Sequence, residues 1–366
     1  MRSLYIAATS QHVGKTTNTL GLVSAFMQRG FDVGYCKPVG QELLDVDDLH
    51  VDKDTVLFAD LIHFDLDPRE HSPIIIGSGA TTKILDNPGA IDLEGTILEA
   101  ARLLQSHKEF IIYEGTGHPG VGSVAGISNA YVARILGAGV IIVVEGGIGS
   151  TIDKLNLSMA LFREERVPII GIIVNKVIPE KLEKVRHYVG KWLNMQKLPL
   201  LGVIPYDKTL AYPVMKSVAD AIDGVVTHNQ DQLYQKVEDI LAGSLIDLKE
   251  LKTFNNLLLV ASVRNLDAAI NKIRSICEMM DKDEAPLAGI VATGDGTAGR
   301  ECLEYIEKHR IPLVRTSLDT YGSVVKISRI EVKINRNTPW KVNRAIELVA
   351  QNVNVETILA RLTEQT

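Results

Sequence analysis

The sequence contains little cysteine and few aromatic residues, and it has no long hydrophobic run. Its three cysteines, Cys36, Cys277 and Cys302, lie far apart and form no Cys-x-x-Cys pair, which excludes a disulfide framework and gives no sign of a structural metal site. The longest apolar runs are too short to cross a bilayer, and the first residues lack the pattern of a signal peptide. We therefore expect reduced thiols and a cytoplasmic protein without a membrane partner.

Positive charge is not concentrated anywhere in the chain. The 45 acidic and 39 basic residues give a net charge of −6, and no run of Lys or Arg stands out. This balance argues against nucleic acid as a partner. With 366 residues, 46% of them hydrophobic, the chain is long enough for about two domains that each have a core of their own.

Short runs rich in Ile and Val alternate with amphipathic helical patterns through the first part of the chain. We expect buried strands near residues 4–8, 33–36, 110–113, 140–144, 169–174 and 200–204. Helices are expected near residues 15–29, 93–106, 128–136, 152–165 and 179–194. This alternation predicts an α/β fold with a parallel sheet that helices cover on both faces. Ligands of such folds bind at the carboxyl ends of the strands.

A polar stretch, Asp220–Asp231, is the predicted boundary between a first domain of residues 1–219 and a second of residues 220–366. The second segment has its own alternating pattern and is interpreted as a smaller α/β domain. Its expected elements are a helix near 232–242, strands near 257–261, 287–292 and 312–315, and helices near 265–280, 298–309 and 340–351. Residues 45–92 are less regular, and a long irregular segment in a compact domain is more often functional.

Residues 9–16 read Thr-Ser-Gln-His-Val-Gly-Lys-Thr and follow the predicted strand 4–8 directly. A strand, a loop ending in Gly-Lys-Thr and then a helix is the context of a phosphate-binding P-loop, although Thr9 replaces its usual first glycine. In such a loop, Lys15 neutralises the β and γ phosphates and the Thr16 hydroxyl is placed for Mg²⁺. The predicted nucleotide contacts in this segment are His12, Val13, Gly14, Lys15, Thr16 and Thr17.

Two further strand ends carry charged residues. Lys37, followed by Pro38, is either a solvated lysine or a second cation on the phosphate; two lysines on one phosphate favour phosphoryl transfer, because developing charge needs fixed cations. Glu114 precedes a glycine-rich loop, where P-loop enzymes place an acid on the Mg²⁺ side. His118 in that loop is an acid–base group, a substrate contact, or a loop histidine with an ordinary hydrogen bond.

Two residues have weaker patterns. Asp54 lies in the irregular region and is either a further metal ligand or part of a solvated charge cluster. Asn175 ends the predicted strand 169–174, where its amide either contacts a base edge or stabilises a turn.

Together these motifs resemble dethiobiotin synthetase and its relatives over about residues 1–215. The matching segments are Ala8–Thr16, Lys37–Val39, Asp52–Asp54 (where the family has Asn-x-Asp), Ser72–Pro73, Glu114–Gly117, Asn175 and Gly202–Tyr206. The resemblance implies ATP and Mg²⁺ as cofactors, with Lys15 and Lys37 beside the transferred phosphoryl group. It also implies Mg²⁺ ligation by Thr16, Asp54 and Glu114. Further nucleotide contacts would come from Asn175, which would contact adenine, and from Pro205.

The chain more specifically resembles the dethiobiotin-synthetase-like N-terminal half of long bacterial phosphotransacetylases. The segments that carry this resemblance are Glu114–Gly120, Ser128–Ala130 and Gly146–Gly149. A DRTGG domain follows in those proteins, and residues 287–294 and 319–321 resemble it. The acetyl-transferring domain has no counterpart in this sequence, so acetyltransferase activity is not expected. The resemblance also implies a homo-oligomer, a dimer, with a small-molecule ligand.

The segments around the expected substrate depart from the family pattern. Gln41 stands where the family has a small polar residue, and the loop after Glu114 carries His118 and Pro119, so diaminopelargonate is not expected to fit. The predicted substrate contacts are Gln41, Gly115, Thr116, Gly117 and His118. Two functions stay open: ATP-dependent activation of a small carboxylate or carbamate, or a non-catalytic module that senses a nucleotide or metabolite.

Overall fold

The computed structural model describes residues 2–46, 49–77, 79–243 and 254–364. The chain divides into two compact units, one formed by Met1–Asp207 with Ile334–Thr366 and the other by Lys208–Lys333. In the described ranges, no helix is long and apolar enough to cross a membrane.

The described residues form short strands and helices in close alternation. The strands are β1 (Arg2–Ala8), β2 (Val33–Cys36), β3 (Val39–Gly40), β4 (Leu43–Val46), β5 (Leu49–Asp52), β6 (Ile74–Ile75), β7 (Phe110–Glu114), β8 (Gly139–Glu145), β9 (Ile169–Val177), β10 (Leu200–Pro205), β11 (Val225–His228), β12 (Asp239–Ala242), β13 (Leu257–Ser262), β14 (Leu287–Thr293) and β15 (Leu313–Thr316). The helices are α1 (Lys15–Met27), α2 (Lys53–Ile62), α3 (Pro68–His71), α4 (Ala80–Asp86), α5 (Leu93–Gln105), α6 (Asn129–Ile135), α7 (Gly149–Glu164), α8 (Leu182–Met195), α9 (Lys208–Ala211), α10 (Met215–Ala221), α11 (Val263–Met279), α12 (Arg300–Lys308), α13 (Thr320–Ser328), α14 (Pro339–Asn352) and α15 (Val355–Thr363).

The first unit is built on a six-stranded parallel sheet in the order β10-β9-β8-β1-β7-β2. Its strands are continuous apolar runs because helices cover both faces and leave no solvent-facing side. On one face, Phe26 of α1 stacks on Phe110 of β7 with ring centroids 4.5 Å apart. The predicted parallel α/β sheet is confirmed. Because β1 and β7 are neighbours, the two loops that leave their carboxyl ends lie side by side.

Two helices from the end of the chain complete the first unit. Helix α14 lies against α1, and Gly21 permits this close approach, because a Cβ there would lie 2.2 Å from the Cβ of Val349. The backbone N–H of Asn354 donates to the carbonyl of Leu201 in β10 at 2.8 Å. Sequence reasoning placed residues 334–366 in the second domain and put the boundary near residue 220, and both positions need correction. An amphipathic helix pattern specifies that a face is buried, but not which core buries it.

The second unit has its own five-stranded sheet in the order β11-β15-β14-β13-β12, parallel except for β11. Strands β13, β14 and β15 confirm the three strands expected there. The helix expected near 232–242 is wrong: residues 230–232 form a short 3₁₀ turn, and Asp239–Ala242 is strand β12 beside Leu257–Val260. A short apolar run does not distinguish strand from helix by its periodicity, so pairing with β13 decides the outcome.

Candidate functional site

The loop between β1 and α1 has the conformation of a phosphate-binding loop. Gly14 precedes the first turn of α1 with φ 98° and ψ 37°, in the left-handed region that favours glycine. A Cβ at this position would lie 2.1 Å from Nδ2 of Asn175, so the available space also requires glycine. No side chain among the described residues caps α1, and its first turn contains no acidic residue. The first-turn N–H groups are therefore left to face an anion.

Asn175 and Lys176, near the carboxyl end of β9, hold this loop in place. Asn175 Nδ2 donates a hydrogen bond to the carbonyl of Val13 at 2.8 Å, and Lys176 Nζ donates to the carbonyl of His12. His12 itself has a positive φ of 59°. The amide nitrogen of Asn175 is thus used on the P-loop, and its predicted contact with adenine stays a prediction. Pro205 ends the adjacent strand β10, in register with Val177.

The P-loop and the loop after β7 are joined by two hydrogen bonds. Lys15 Nζ donates to the carbonyl of Gly117 at 2.9 Å, and Thr16 Oγ1 donates to Glu114 Oε1 at 2.8 Å. Ile6 of β1 is in register with Glu114, which brings both loops to one edge of the sheet. Burial lowers the pKa of Lys15 to about 8, against the opposing charge of Glu114. The structure therefore brings together three residues that the sequence predicted as a site.

Glu114 is almost fully buried, with 1% of its surface exposed. Its Oε1 accepts from Thr16, but its Oε2 is buried and has no hydrogen-bond partner among the residues that the structure describes. Burial, and then the negative charge of Asp54, raise the pKa of Glu114 to about 7. A buried carboxylate oxygen without a donor needs an explanation, and a bound cation supplies one.

The residues around Glu114 can supply part of the ligand shell of a magnesium ion. Across the part of the chain that the structure describes, no group of three or more His, Cys, Asp or Glu side chains is placed to bind a metal. Mg²⁺ usually takes one or two ligands from protein carboxylates and the rest from phosphate oxygens and water. Glu114 Oε2, with the Thr16 hydroxyl 2.8 Å from the other carboxylate oxygen, fits that pattern of partial protein ligation.

Lys37 lies between two carboxylates. Its Nζ is 2.9 Å from Asp52 Oδ1 and also donates to Asp54 Oδ2. Burial lowers the pKa of Lys37, but the charges of Asp54 and Asp52 outweigh burial and leave the pKa above its ordinary value. Lys37 therefore keeps its positive charge, and that charge is already paired with these acids. Asp54, the predicted metal ligand, lies in the first turn of α2 and accepts this hydrogen bond from Lys37.

Asp52 organises this side of the site and was not predicted as a site residue. It is fully buried, and its carboxylate accepts from the backbone N–H groups of Gln41 at 3.0 Å, Glu42 at 3.2 Å and Asp54 at 3.0 Å. The bond to Asp54 N caps α2. An Asp directly before a helical pattern is the signal that could have identified it as a cap. Gln41 contributes its backbone here, and its side chain is exposed.

The loop after Glu114 is held by a second unpredicted residue, Asn129. Its Oδ1 accepts from Thr116 N at 3.0 Å and from Tyr5 OH at 2.7 Å, and its Nδ2 donates to the carbonyls of Thr116 and His118, both at 2.6 Å. The Thr116 hydroxyl donates to the carbonyl of Val39. The His118 side chain is exposed, and its Nδ1 accepts from Gly120 N at 3.2 Å. Gly115 and Gly117 are buried in this loop, while Thr17 is half-buried in the first turn of α1.

A parallel sheet with a Gly-Lys-Thr loop at its carboxyl edge and a buried acid opposite the threonine defines a P-loop protein. The family model of AAA domains named AAA_26 matches residues 2–214, which is more than half of the chain. The chain belongs to this family.

Individual relatives are distant in sequence. The phosphate acetyltransferase of Nitratidesulfovibrio vulgaris is 21% identical over 98% of this chain, and that of Pseudomonas aeruginosa is 23% identical over 99%. These matches cover 51% and 52% of the relatives, so the chain spans about half the length of the phosphate acetyltransferases it matches. The dethiobiotin synthetase BioD of Clostridium kluyveri is 26% identical over 55% of this chain and 84% of its own. Both predicted resemblances are confirmed.

Among solved structures, the MinD cell division protein of Aquifex aeolicus is similar over 58% of this chain and 85% of its own. It is 17% identical, with a TM-score of 0.36.

Proposed function

We propose that this protein binds ATP with Mg²⁺ at the P-loop and uses it to activate a small carboxylate or carbamate. The observation that supports this most is the buried, unpartnered Oε2 of Glu114 beside Thr16, at the start of an uncapped helix α1. Bound Mg-ATP would supply the phosphoryl group. Thr16, Glu114 and Asp54 would hold the ion, and the first turn of α1 would face the phosphates.

The two lysines would act as fixed cations. Lys15 reaches from the P-loop to the carbonyl of Gly117, a position from which a phosphate oxygen could replace that carbonyl. Lys37 stays protonated between Asp52 and Asp54, so it would present positive charge at the edge of the phosphate site without a proton transfer. Such preorganised charge stabilises a phosphoryl group in transfer. The substrate would lie beside Gln41 and the loop Gly115–His118.

Calorimetry with ATP and Mg²⁺ tests the nucleotide site. Lys15→Ala removes a charge-assisted contact worth about 2–3 kcal/mol, so ATP affinity should fall roughly 30- to 150-fold. Lys154→Ala is the matched control, because Lys154 is an exposed lysine on α7. Equal affinity in the Lys15→Ala protein and the wild type would refute the proposal. Screening ATP turnover against a panel of small carboxylates and amines with bicarbonate then tests the transfer.

A second candidate function is a nucleotide- or metabolite-sensing module, in a dimer or larger assembly. The supporting observation is that the phosphate acetyltransferases match 98% and 99% of this chain, including its second unit, within about half of their own length. Under this proposal the second unit is a DRTGG-like regulatory domain. ATP binding without turnover across the whole panel favours this function, whereas turnover with one acid favours the first.

A further inference from the structure

Tyr35 carries a buried hydroxyl that the proposed function leaves unexplained. The side chain is fully buried in β2, and within the described part of the chain its OH has no hydrogen-bond partner. A hydroxyl taken out of water without a partner is unfavourable, so an oxygen atom of a bound ligand that pairs with it would stabilise the complex. Its ring is fixed, because it stacks on Phe58 of α2 with centroids 3.8 Å apart and an interplanar angle of 11°.

The hydroxyl lies on the side of the candidate metal site. Tyr35 is in register with Ile112, and Glu114 is two residues further along β7, so these side chains leave the same face of the sheet. Asp54 is one helical turn before Phe58, on the same face of α2. After burial, the negative charges of Glu114 and Asp54 are the largest causes that raise the pKa of Tyr35. The phenol therefore stays protonated, and its O–H can donate a hydrogen bond to an oxygen atom brought into the site.

Two unsatisfied groups thus occur on the same face of the sheet at one site: the Tyr35 OH, which is a donor, and Glu114 Oε2, which is an acceptor. They are not bonded to each other. A cation on Glu114 Oε2, with oxygen ligands around it, satisfies both groups at once. We propose that the Tyr35 hydroxyl donates a hydrogen bond to an oxygen in the ligand shell of the Mg²⁺ ion and so positions that ion. This inference rests on the proposed nucleotide site and makes Tyr35 a positioning residue for its metal.

The chain contains a matched control in Tyr113. It is 1% exposed, and its hydroxyl is also buried without a hydrogen-bond partner in the described ranges. Tyr113 is in register with Cys36, next to Tyr35, and precedes Glu114, so its side chain leaves the opposite face of the sheet. Burial and then Cys36 raise the pKa of Tyr113, and no site carboxylate is among the causes. Tyr113→Phe therefore removes the same chemical group from the same sheet without reaching the metal site.

The test compares wild type, Tyr35→Phe and Tyr113→Phe by calorimetry with ATP, once with Mg²⁺ and once with EDTA. We expect Tyr35→Phe to weaken ATP binding roughly 3- to 10-fold with Mg²⁺ and to leave it unchanged with EDTA. Tyr113→Phe should leave both affinities unchanged. Melting of the three proteins in EDTA should coincide within a few degrees, because neither variant removes a hydrogen bond of the metal-free protein.

Three results would overturn the inference. If Tyr35→Phe matches Tyr113→Phe with Mg²⁺, the hydroxyl does not serve the ion. If Tyr35→Phe loses affinity equally with Mg²⁺ and with EDTA, or melts far below Tyr113→Phe, the hydroxyl serves the nucleotide or the fold, as a water-mediated contact would. If the wild type shows no Mg²⁺-dependent ATP binding, the proposed function fails and the inference fails with it. The first two results leave the proposed function intact.

Discussion

Replacing Asp52 tests whether the acids around Lys37 hold the site together. The carboxylate is fully buried and accepts three backbone N–H groups, from Gln41, Glu42 and Asp54, besides lying 2.9 Å from Lys37 Nζ. Asp52→Ala removes one partner of a buried ion pair, a loss of about 3–5 kcal/mol, and also the cap of α2. Because one carboxylate serves both roles, we expect the free energy of unfolding to fall by about 4 kcal/mol in total.

Asp52→Asn refines this prediction, because the dethiobiotin synthetase pattern that this chain resembles has Asn at this position. Oδ2 accepts from Gln41 N and Glu42 N, and Oδ1 accepts from Asp54 N and faces Lys37. If Oδ2 is replaced by NH₂, the N–H groups of Gln41 and Glu42 lose their acceptor. If Oδ1 is replaced, Asp54 N–H and Lys37 Nζ lose that oxygen as their partner. Each unsatisfied group costs about 1–3 kcal/mol, so Asp52→Asn should lose about 2–6 kcal/mol of unfolding free energy and should not restore wild-type stability.

Urea unfolding monitored by circular dichroism measures both changes. Asp60→Ala is the control, because Asp60 also lies on α2 but pairs at the surface with Arg336 at 3.1 Å, both side chains being nearly half exposed. A surface pair of this kind contributes about 0–1 kcal/mol. If Asp52→Ala loses no more stability than Asp60→Ala, Asp52 is not the buried anchor described above.

Two further predictions concern the charge and shape of the site. The folded pKa of Glu114, about 7, lies above its ordinary 4.5, so the folded state binds more protons between these values and the free energy of unfolding should fall by up to about 3 kcal/mol as the pH rises through them. Urea unfolding in EDTA should show this slope, and Glu114→Gln should abolish it. Gly14→Ala would place a Cβ 2.1 Å from Asn175 Nδ2 and should abolish ATP binding in calorimetry. Gly30→Ala, also at a positive φ but with no described residue within 4 Å of its Cβ, should bind ATP normally.

The sequence predicts the part of the site that parallel strands bring together. A ligand edge follows from strand alternation alone, and Lys15, Thr16 and Glu114 each stand within two residues of a predicted strand end or helix start. Their meeting requires only that β1 and β7 be neighbours, which the structure confirms. The pattern of residue types was sufficient because the chemistry of this edge needs charge and hydroxyl groups in an otherwise apolar run.

Asp52, Asn129 and Tyr35 could not be found in the same way. Apart from the local cap on Asp54 N, Asp52 and Asn129 act through hydrogen bonds to residues 10 to 124 positions away, so their roles in the site depend on tertiary neighbours. In the sequence, Tyr35 does not differ from any other aromatic residue of a buried strand. Only the register with β7 shows which face of the sheet its side chain occupies. The partners of Lys37 were equally hidden, since a lysine after a strand gives no indication that two acids will enclose it.

The position of α14 shows the same limit at the level of domains, and it yields the last prediction. If α14 belonged with the second segment, as its sequence position suggested, Gly21 of α1 would be an ordinary helix-interior glycine. Gly21→Ala would then stabilise the protein by about 0.5–1 kcal/mol.

In the structure, a Cβ at Gly21 would lie 2.2 Å from the Cβ of Val349, so the same change forces α1 and α14 apart and should destabilise by about 1–3 kcal/mol. Gly190 in α8 is the matched control, because among the described residues a Cβ there would meet only Leu200 Cδ2, at an ordinary 3.6 Å. We therefore expect opposite signs in urea unfolding: a loss for Gly21→Ala and a gain for Gly190→Ala. If both variants were more stable than the wild type, the contact between α1 and α14 would be refuted, and residues 334–366 would be assigned to the second domain.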